Sequence, residues 1–159
     1  MPFVQDLAKN FVSQLPFKLT DGQRQVIWQI YQDMVKSRPM NRLVEGDVGS
    51  GKTVVAVMSA LMALNAGYKV AFLAPTELLA KQHAKTIKLL LQPLKLEESL
   101  VVFTGSLKTK EKAEALNKTK EINNCLVVGT HSLLTSDIDW SNLALIIVDE
   151  QHRFGVLFC

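Results

Sequence analysis

Gly46-Asp47-Val48-Gly49-Ser50-Gly51-Lys52-Thr53 fits the spacing GxxxxGK[ST]. It stands between the apolar pair Leu43-Val44 and a run of 16 residues without a charge that lies between Lys52 and Lys69. The glycines permit backbone conformations that turn successive N–H groups toward one point, and a helix starting at the lysine adds the partial positive charge of its N-terminus. Such a loop suits phosphate oxygens, and it requires a strand before it and a helix after it. The flanks supply both. A membrane span needs about 20 apolar residues, and Ser59, Asn65 and Gly67 interrupt this shorter run, so it reads as a buried helix over 52–65. Lys52 would reach the β and γ phosphates, and the Thr53 hydroxyl suits Mg²⁺, which keeps most of its waters and needs few protein ligands.

The rest of the chain agrees with a folded α/β domain. Its 159 residues are 48% hydrophobic and 21% charged, which excludes disorder, collagen-like repetition and a disulfide scaffold. Cys125 and Cys159 lack CxxC spacing and fit a reducing compartment. No basic N-terminal segment precedes an apolar stretch and cleavage site, so a cytoplasmic location is expected, with no membrane partner. The net charge of +3 permits a polyanionic partner without demanding one.

Val4, Leu7, Ala8, Phe11, Val12 and Leu15 recur at helical steps behind Pro2, and Pro16 ends the pattern. Thr20-Asp21-Gly22-Gln23 reads as a capping box for a helix with the stripe Val26, Ile27, Ile30 and Met34, closing near Arg38-Pro39. From Leu43 onward short apolar runs alternate with helical segments, the mark of βαβ units and a parallel sheet. The expected strands are 43–45, 69–74, 99–104, 125–129 and 144–148. The expected helices are 52–65, 77–91 and 109–120, with a helical turn after Thr130. The N-terminal helices, residues 1–40, lead into a phosphate-binding lobe over 41–159, and the whole counts as a single domain.

Ala144 to Val148 form an apolar run that delivers Asp149 and Glu150 at a strand's C-terminal end, where open parallel sheets bind ligands. Asp149 suits Mg²⁺, directly or through water. Glu150 can orient and deprotonate a water for attack on a γ phosphate, a hydrolytic rather than kinase arrangement. Lys120 stands where an NKxD guanine signature from Asn117 would need aspartate, so a GTPase is not supported. His83, His131 and His152 lie in separate segments without paired ligand spacing, which disfavours a metal cluster. The lysine-rich stretch 108–112, interleaved with glutamates, reads as a solvated helix face.

Val148-Asp149-Glu150-Gln151-His152 resembles motif II of superfamily 2 helicases, and DEQHRFGV, residues 149–156, is similar to the RecG-type branched-DNA helicases. Other stretches agree: LPFKLTDGQ from Leu15, DMVKSRPMNRLVEGDVGSGKT from Asp33, APTELLAKQH from Ala74, FTGSLK from Phe103 and VVGTHSLL from Val127. Transcription-repair coupling factors share much of this pattern and give an alternative within the superfamily. A nucleotide-binding module without turnover is a third reading. The resemblance implies a P-loop, RecA-like, doubly wound and mainly parallel α/β lobe that binds ATP and Mg²⁺. It also implies an intact parent that couples ATP hydrolysis to remodelling of branched DNA.

Residue by residue, the resemblance makes Lys52, Asp149 and Glu150 catalytic, Thr53 and Asp149 metal ligands, and Gln151 and His152 coupling residues that sense the γ phosphate. Gly46 to Thr53 hold ATP. Gln23 matches a glutamine that reads the adenine edge, though its place in the capping box fits equally, and Phe17 lies where an aromatic packs near the base. Pro75 and Thr76 with Glu77, then Thr104, Gly105 and Ser106, then Gly129, Thr130 and His131 match motifs that grip nucleic-acid backbone. Hydroxyls at such junctions are also what helix N-caps require. The family places its arginine fingers on a second RecA-like lobe, so Arg153 is not expected to act as one. That lobe and an N-terminal wedge domain are expected to be missing, with the fold truncated after motif II. The strand that the family inserts between the phosphate-loop strand and the Asp149 strand is expected to be missing as well, leaving that slot of the sheet unfilled.

Overall fold

The computed structural model describes residues 4–47 and 49–149, and the backbone of 155–158. Helix α1 (Gln5–Gln14) and helix α2 (Asp21–Val35) precede strand β1 (Asn41–Val44). Then follow α3 (Lys52–Asn65), β2 (Lys69–Leu73), α4 (Glu77–Leu91), β3 (Leu100–Phe103), α5 (Thr109–Glu121), β4 (Leu126–Gly129), β5 (Leu143–Asp149) and β6 (Gly155–Phe158). Short 3₁₀ turns lie at Gln92–Leu94, Glu97–Ser99 and His131–Thr135. The expected helices and strands are present, with shifts at their ends; β1 starts two residues earlier than the apolar run because Asn41 and Arg42 also pair.

The capping box that opens α2 is complete. Thr20 Oγ1 accepts the Gln23 N–H at 3.2 Å, and Gln23 Oε1 accepts the Thr20 N–H at 2.9 Å. The charge-free run is a buried helix as expected: every residue from Val54 to Leu64 is buried. It sits on one face of the sheet with α1, α2 and α4, packing against Val70, Phe72, Val128, Leu145 and Ile147. Alternate residues of the same strands, Ala71, Leu73, Val127 and Val148, face a second core closed by α5 and the segment from Leu133 to Trp140. A sheet covered on both faces explains why its strands read as continuous apolar runs rather than alternating ones. No helix among the described residues is long and apolar enough to cross a membrane.

The sheet order is β1-β6-β5-β2-β4-β3, with β5, β2, β4 and β3 mutually parallel. Between β1 and β5 the expectation of an unfilled slot is wrong. Strand β6 occupies it, antiparallel to both neighbours, with Leu157 opposite Arg42 on one side and Ile147 on the other. Two rows of backbone donors and acceptors face this slot, and leaving them unpaired is costly. Five residues separate β5 from β6, far fewer than the dozen or so that a parallel crossover needs, so the return is antiparallel. At the sheet's outer edge Arg42 of β1 ties to α2. It donates Nη1–H to Gln29 Oε1 and Nε–H to Asp33 Oδ2, both at 3.0 Å.

Candidate functional site

The phosphate-type loop, Asp149 and the three hydroxyl-bearing junctions all lie at the C-terminal ends of strands, along one edge of the sheet. The loop follows β1. Asp149 ends β5, and the junctions follow β2, β3 and β4 in the other half of the sheet.

Within the loop Gly49 and Gly51 adopt φ of 81° and 78°, the left-handed region that favours glycine. Gly51 is the N-cap of α3 and brings no side chain to satisfy the helix's first amides, which leaves those donors open toward the loop. The Lys52 ammonium folds back to donate to the carbonyl of Gly46 and to that of Asp47, the latter at 3.0 Å. The lysine thus fills the centre of its own loop with charge that a phosphate could take over. Gln23 reaches the same place: its Nε2 donates to the Ser50 carbonyl at 2.9 Å while its Oε1 serves the cap of α2. Capping and loop contact therefore coexist in one side chain. Phe17 is about half exposed, at 46%, and open to pack against a flat ligand.

Behind the loop opens a small cavity of about 50 Å³, lined by Lys52, Thr53, Ala56, Phe72, His83 and Asp149 among others. A hydroxyl and a carboxylate meet there beside a lysine, and hard oxygen donors few in number fit Mg²⁺, which takes most of its ligands from phosphates and water. Among the described residues no group of three or more His, Cys, Asp or Glu is placed to hold a metal ion. His83 still enters this site. Its Nε2 lies 2.6 Å from Asp149 Oδ2 across 66 residues of sequence.

At the other half of the edge, Thr76 caps α4 by accepting the Leu79 N–H at 3.3 Å. Thr104 and Thr130 do not cap helices. Their hydroxyls pair with those of Ser106, at 3.2 Å, and Ser132, at 2.9 Å. Glu77 Oε1 accepts the Ser106 N–H at 3.0 Å, and the Glu77 carboxyl is held below its usual range first by the Ser106 side-chain hydroxyl and then by this backbone bond. Lys81 Nζ donates to Ser106 Oγ at 3.3 Å, so α4 grips the loop after β3 by two side chains. Gly129 lies so close to β3 that a Cβ would stand 2.3 Å from the Phe103 carbonyl oxygen, which requires glycine there. His131 is exposed, and so are Gly105, Ser106 and Pro75, which leaves this edge accessible to a partner.

Val48, Glu150, Gln151, His152 and Arg153 lie outside the described residues. Residues 20–158 match the DEAD/DEAH box helicase family. The chain belongs to that family. Among individual helicases it is 49% identical over 153 residues to the ATP-dependent DNA helicase RecG of Treponema pallidum, which covers 95% of this chain and 22% of that protein. It is 46% identical over 153 residues to RecG of Borreliella burgdorferi, covering 96% of this chain and 22% of the relative. The structure of a RecG bound to a three-way DNA junction superposes with a TM-score of 0.86 at 39% identity, over 96% of this chain and 21% of that one. A hypothetical ATP-dependent RNA helicase from Sulfolobus tokodaii shares the fold, with a TM-score of 0.67 at 22% identity. The chain thus spans about a fifth of the length of the RecG helicases it matches. Set beside that family's ATP motifs, His83 is the residue that sequence reasoning left out of the site. Nothing in the spacing of the histidines pairs it with Asp149; only the fold brings its side chain to Phe72 of β2 and Asp149 of β5.

Proposed function

We propose that the chain is the ATP-binding half of a RecG-like DNA helicase motor, which in the whole protein couples ATP hydrolysis to remodelling of branched DNA. The observation that carries this reading is the meeting of Lys52, Thr53 and Asp149 on one cavity at the C-terminal edge of the sheet. The RecG likeness selects DNA over RNA, and the junction-bound relative supports a branched substrate.

In this reading the triphosphate enters the loop Gly46 to Thr53 and draws the Lys52 ammonium away from the carbonyls of Gly46 and Asp47. The free amides of α3 and the lysine then meet the β and γ phosphate oxygens. Thr53 and Asp149 would hold Mg²⁺, which would supply positive charge beside the phosphate oxygens. Glu150 orients and deprotonates the attacking water, and Gln151 and His152 report the γ phosphate to the rest of the motor. Gln23 gives up its Ser50 contact to read the adenine edge beside Phe17. Thr76, Gly105, Ser106, Thr130 and His131 offer hydroxyls and N–H groups to DNA phosphates, while Pro75, which has neither, and the buried Thr104 and Gly129 shape the edge that presents them. A second RecA-like lobe and a wedge domain, supplied by the remainder of a RecG-length protein, complete the cycle.

Titration of the chain with a fluorescent ATP analogue in Mg²⁺ tests the central step. Lys52→Ala is expected to weaken binding at least tenfold, about 1.4 kcal/mol. Equal affinity in the two proteins would refute the phosphate-loop assignment.

A further inference from the structure

His83 stands two turns into α4 with its imidazole Nε2 at 2.6 Å from Asp149 Oδ2. An ionised carboxylate only accepts hydrogen bonds, so against it Nε2–H is the donor. Both side chains are mostly enclosed, His83 at 19% and Asp149 at 22% exposure. The imidazole is braced from β2, where the Phe72 ring lies 4.9 Å from it, centroid to centroid, at a 46° tilt. All three residues line the cavity that also contains Lys52 and Thr53. The imidazole is therefore fixed by packing on one side and turns its Nε2 to the carboxylate.

We infer that His83 is a positioning residue for Asp149, orienting its carboxylate for Mg²⁺; this rests on the reading of Lys52, Thr53 and Asp149 as a Mg²⁺–nucleotide site. An aspartate at a strand end has two torsions free to carry its oxygens away from a cation. A hydrogen bond from a braced imidazole holds them in one setting and occupies one lone pair of Oδ2, leaving the others for the ion. Partners of this kind behind a metal-binding carboxylate typically contribute about 10- to 100-fold in metal affinity. A histidine that merely filled space would contribute through its ring and not through its N–H.

The test separates ring from N–H. A fluorescent, non-hydrolysable ATP analogue is titrated into the chain over a series of Mg²⁺ concentrations, and the concentration giving half of the metal-dependent tightening is read. His83→Phe keeps a ring against Phe72 without the donor and is expected to raise that concentration about tenfold. His83→Gln, whose amide nitrogen reaches about as far from the backbone as Nε2, is expected to restore it to within a few-fold. An unchanged value in His83→Phe, an equal loss in both variants, or a lowered value in His83→Phe, as competition between imidazole and cation would give, each overturns the inference. Asp149→Asn is the control for the underlying reading. If it leaves the Mg²⁺ requirement unaltered, the metal site itself is misassigned; if it raises the requirement while His83→Phe does not, only the role of His83 falls. Should His83→Phe fail to fold, ¹⁵N shifts of the His83 ring, assigned by the signal lost in His83→Gln, decide. A ring with Nε2 protonated is expected, whether or not Nδ1 also carries a proton, and a neutral Nδ1–H tautomer with Nε2 bare would overturn the inference.

Discussion

Gly51→Ala should destabilise the chain in two separable ways. At φ 78° the residue sits in the left-handed region, where a side chain costs about 1 to 2 kcal/mol. In addition, a Cβ there would stand 2.3 Å from Gln23 Nε2, so the glutamine must swing away and release its 2.9 Å bond to the Ser50 carbonyl. Losing that exposed bond costs about 1 kcal/mol. The sum is about 2 to 3 kcal/mol, which for a chain of this size lowers the melting temperature by roughly 5 to 10 °C. The second contribution vanishes if Gln23 is already gone. A double-mutant cycle with Gln23→Ala, followed by urea unfolding, should therefore show Gly51→Ala costing about 1 kcal/mol less in the Gln23→Ala background than in the parent. An equal cost in both backgrounds would show that Gln23 does not reach the loop. No cost in either would refute the left-handed conformation at the N-cap of α3.

Leu157→Pro removes a backbone N–H from β6, a strand paired on both sides. It should cost at least the 1 to 3 kcal/mol of an unsatisfied ladder group and abolish slow hydrogen exchange at the Val44 and Ile147 amides; unchanged exchange would place residues 155–158 elsewhere. Asp33 is held below the usual carboxylate range by the Lys36 hydrogen bond first and Arg42 second. Because the folded pKa is depressed, the stability it contributes is full above the ordinary aspartate range and is lost as pH falls through the lowered folded value. Asp33→Asn should accordingly be less stable than the parent by about 1 kcal/mol near neutral pH, with the gap closing in acid. A gap that persists in acid-series urea melts would exclude the charge as its cause.

What could be read from sequence divides by the range of the interactions. The Thr20-Asp21-Gly22-Gln23 box, the Thr76 cap and the buried run after Lys52 are settled within a few residues, so local chemistry fixes them. Thr104 and Thr130 show the same residue type used otherwise. The helix after β3 starts at Thr109, beyond capping reach of Thr104, and both hydroxyls turn to a serine two residues on. Strand β6 escaped because four residues, Gly155 to Phe158, carry no pattern that distinguishes a return strand from a loop. Its pairing is decided by the open backbone rows of β1 and β5. The His83–Asp149 bond and the second use of Gln23 are likewise products of packing, joining residues 66 and 27 apart. In each case the sequence names the chemistry available at a position, and topology chooses the partner.

The charge distribution around the cavity leads to a last expectation, about turnover. Lys52 is the cationic residue that lines it, and the other described arginines are engaged or distant in the fold: Arg24 donates to the Leu19 carbonyl and Arg42 to α2, while Arg38 is exposed beyond that helix. Charge that develops on a γ phosphoryl group would then meet one lysine and a metal, with no arginine finger among the described residues. In related P-loop enzymes such a finger contributes about 10³ to 10⁵ in rate, or roughly 4 to 7 kcal/mol of transition-state stabilisation. The 159-residue chain should therefore bind ATP yet hydrolyse it orders of magnitude below motor rates, with or without DNA. A second RecA-like lobe of RecG type added in trans should recover part of the deficit. Glu150→Gln should abolish that gain while leaving ATP binding measurable, since its role in this scheme is to activate water. Steady-state ATPase assays with and without DNA decide the matter. DNA-stimulated turnover at ordinary motor rates by the chain alone would mean that a residue within it, with Arg153 the first to examine, supplies the finger in cis, and the assignment of half a motor would fail.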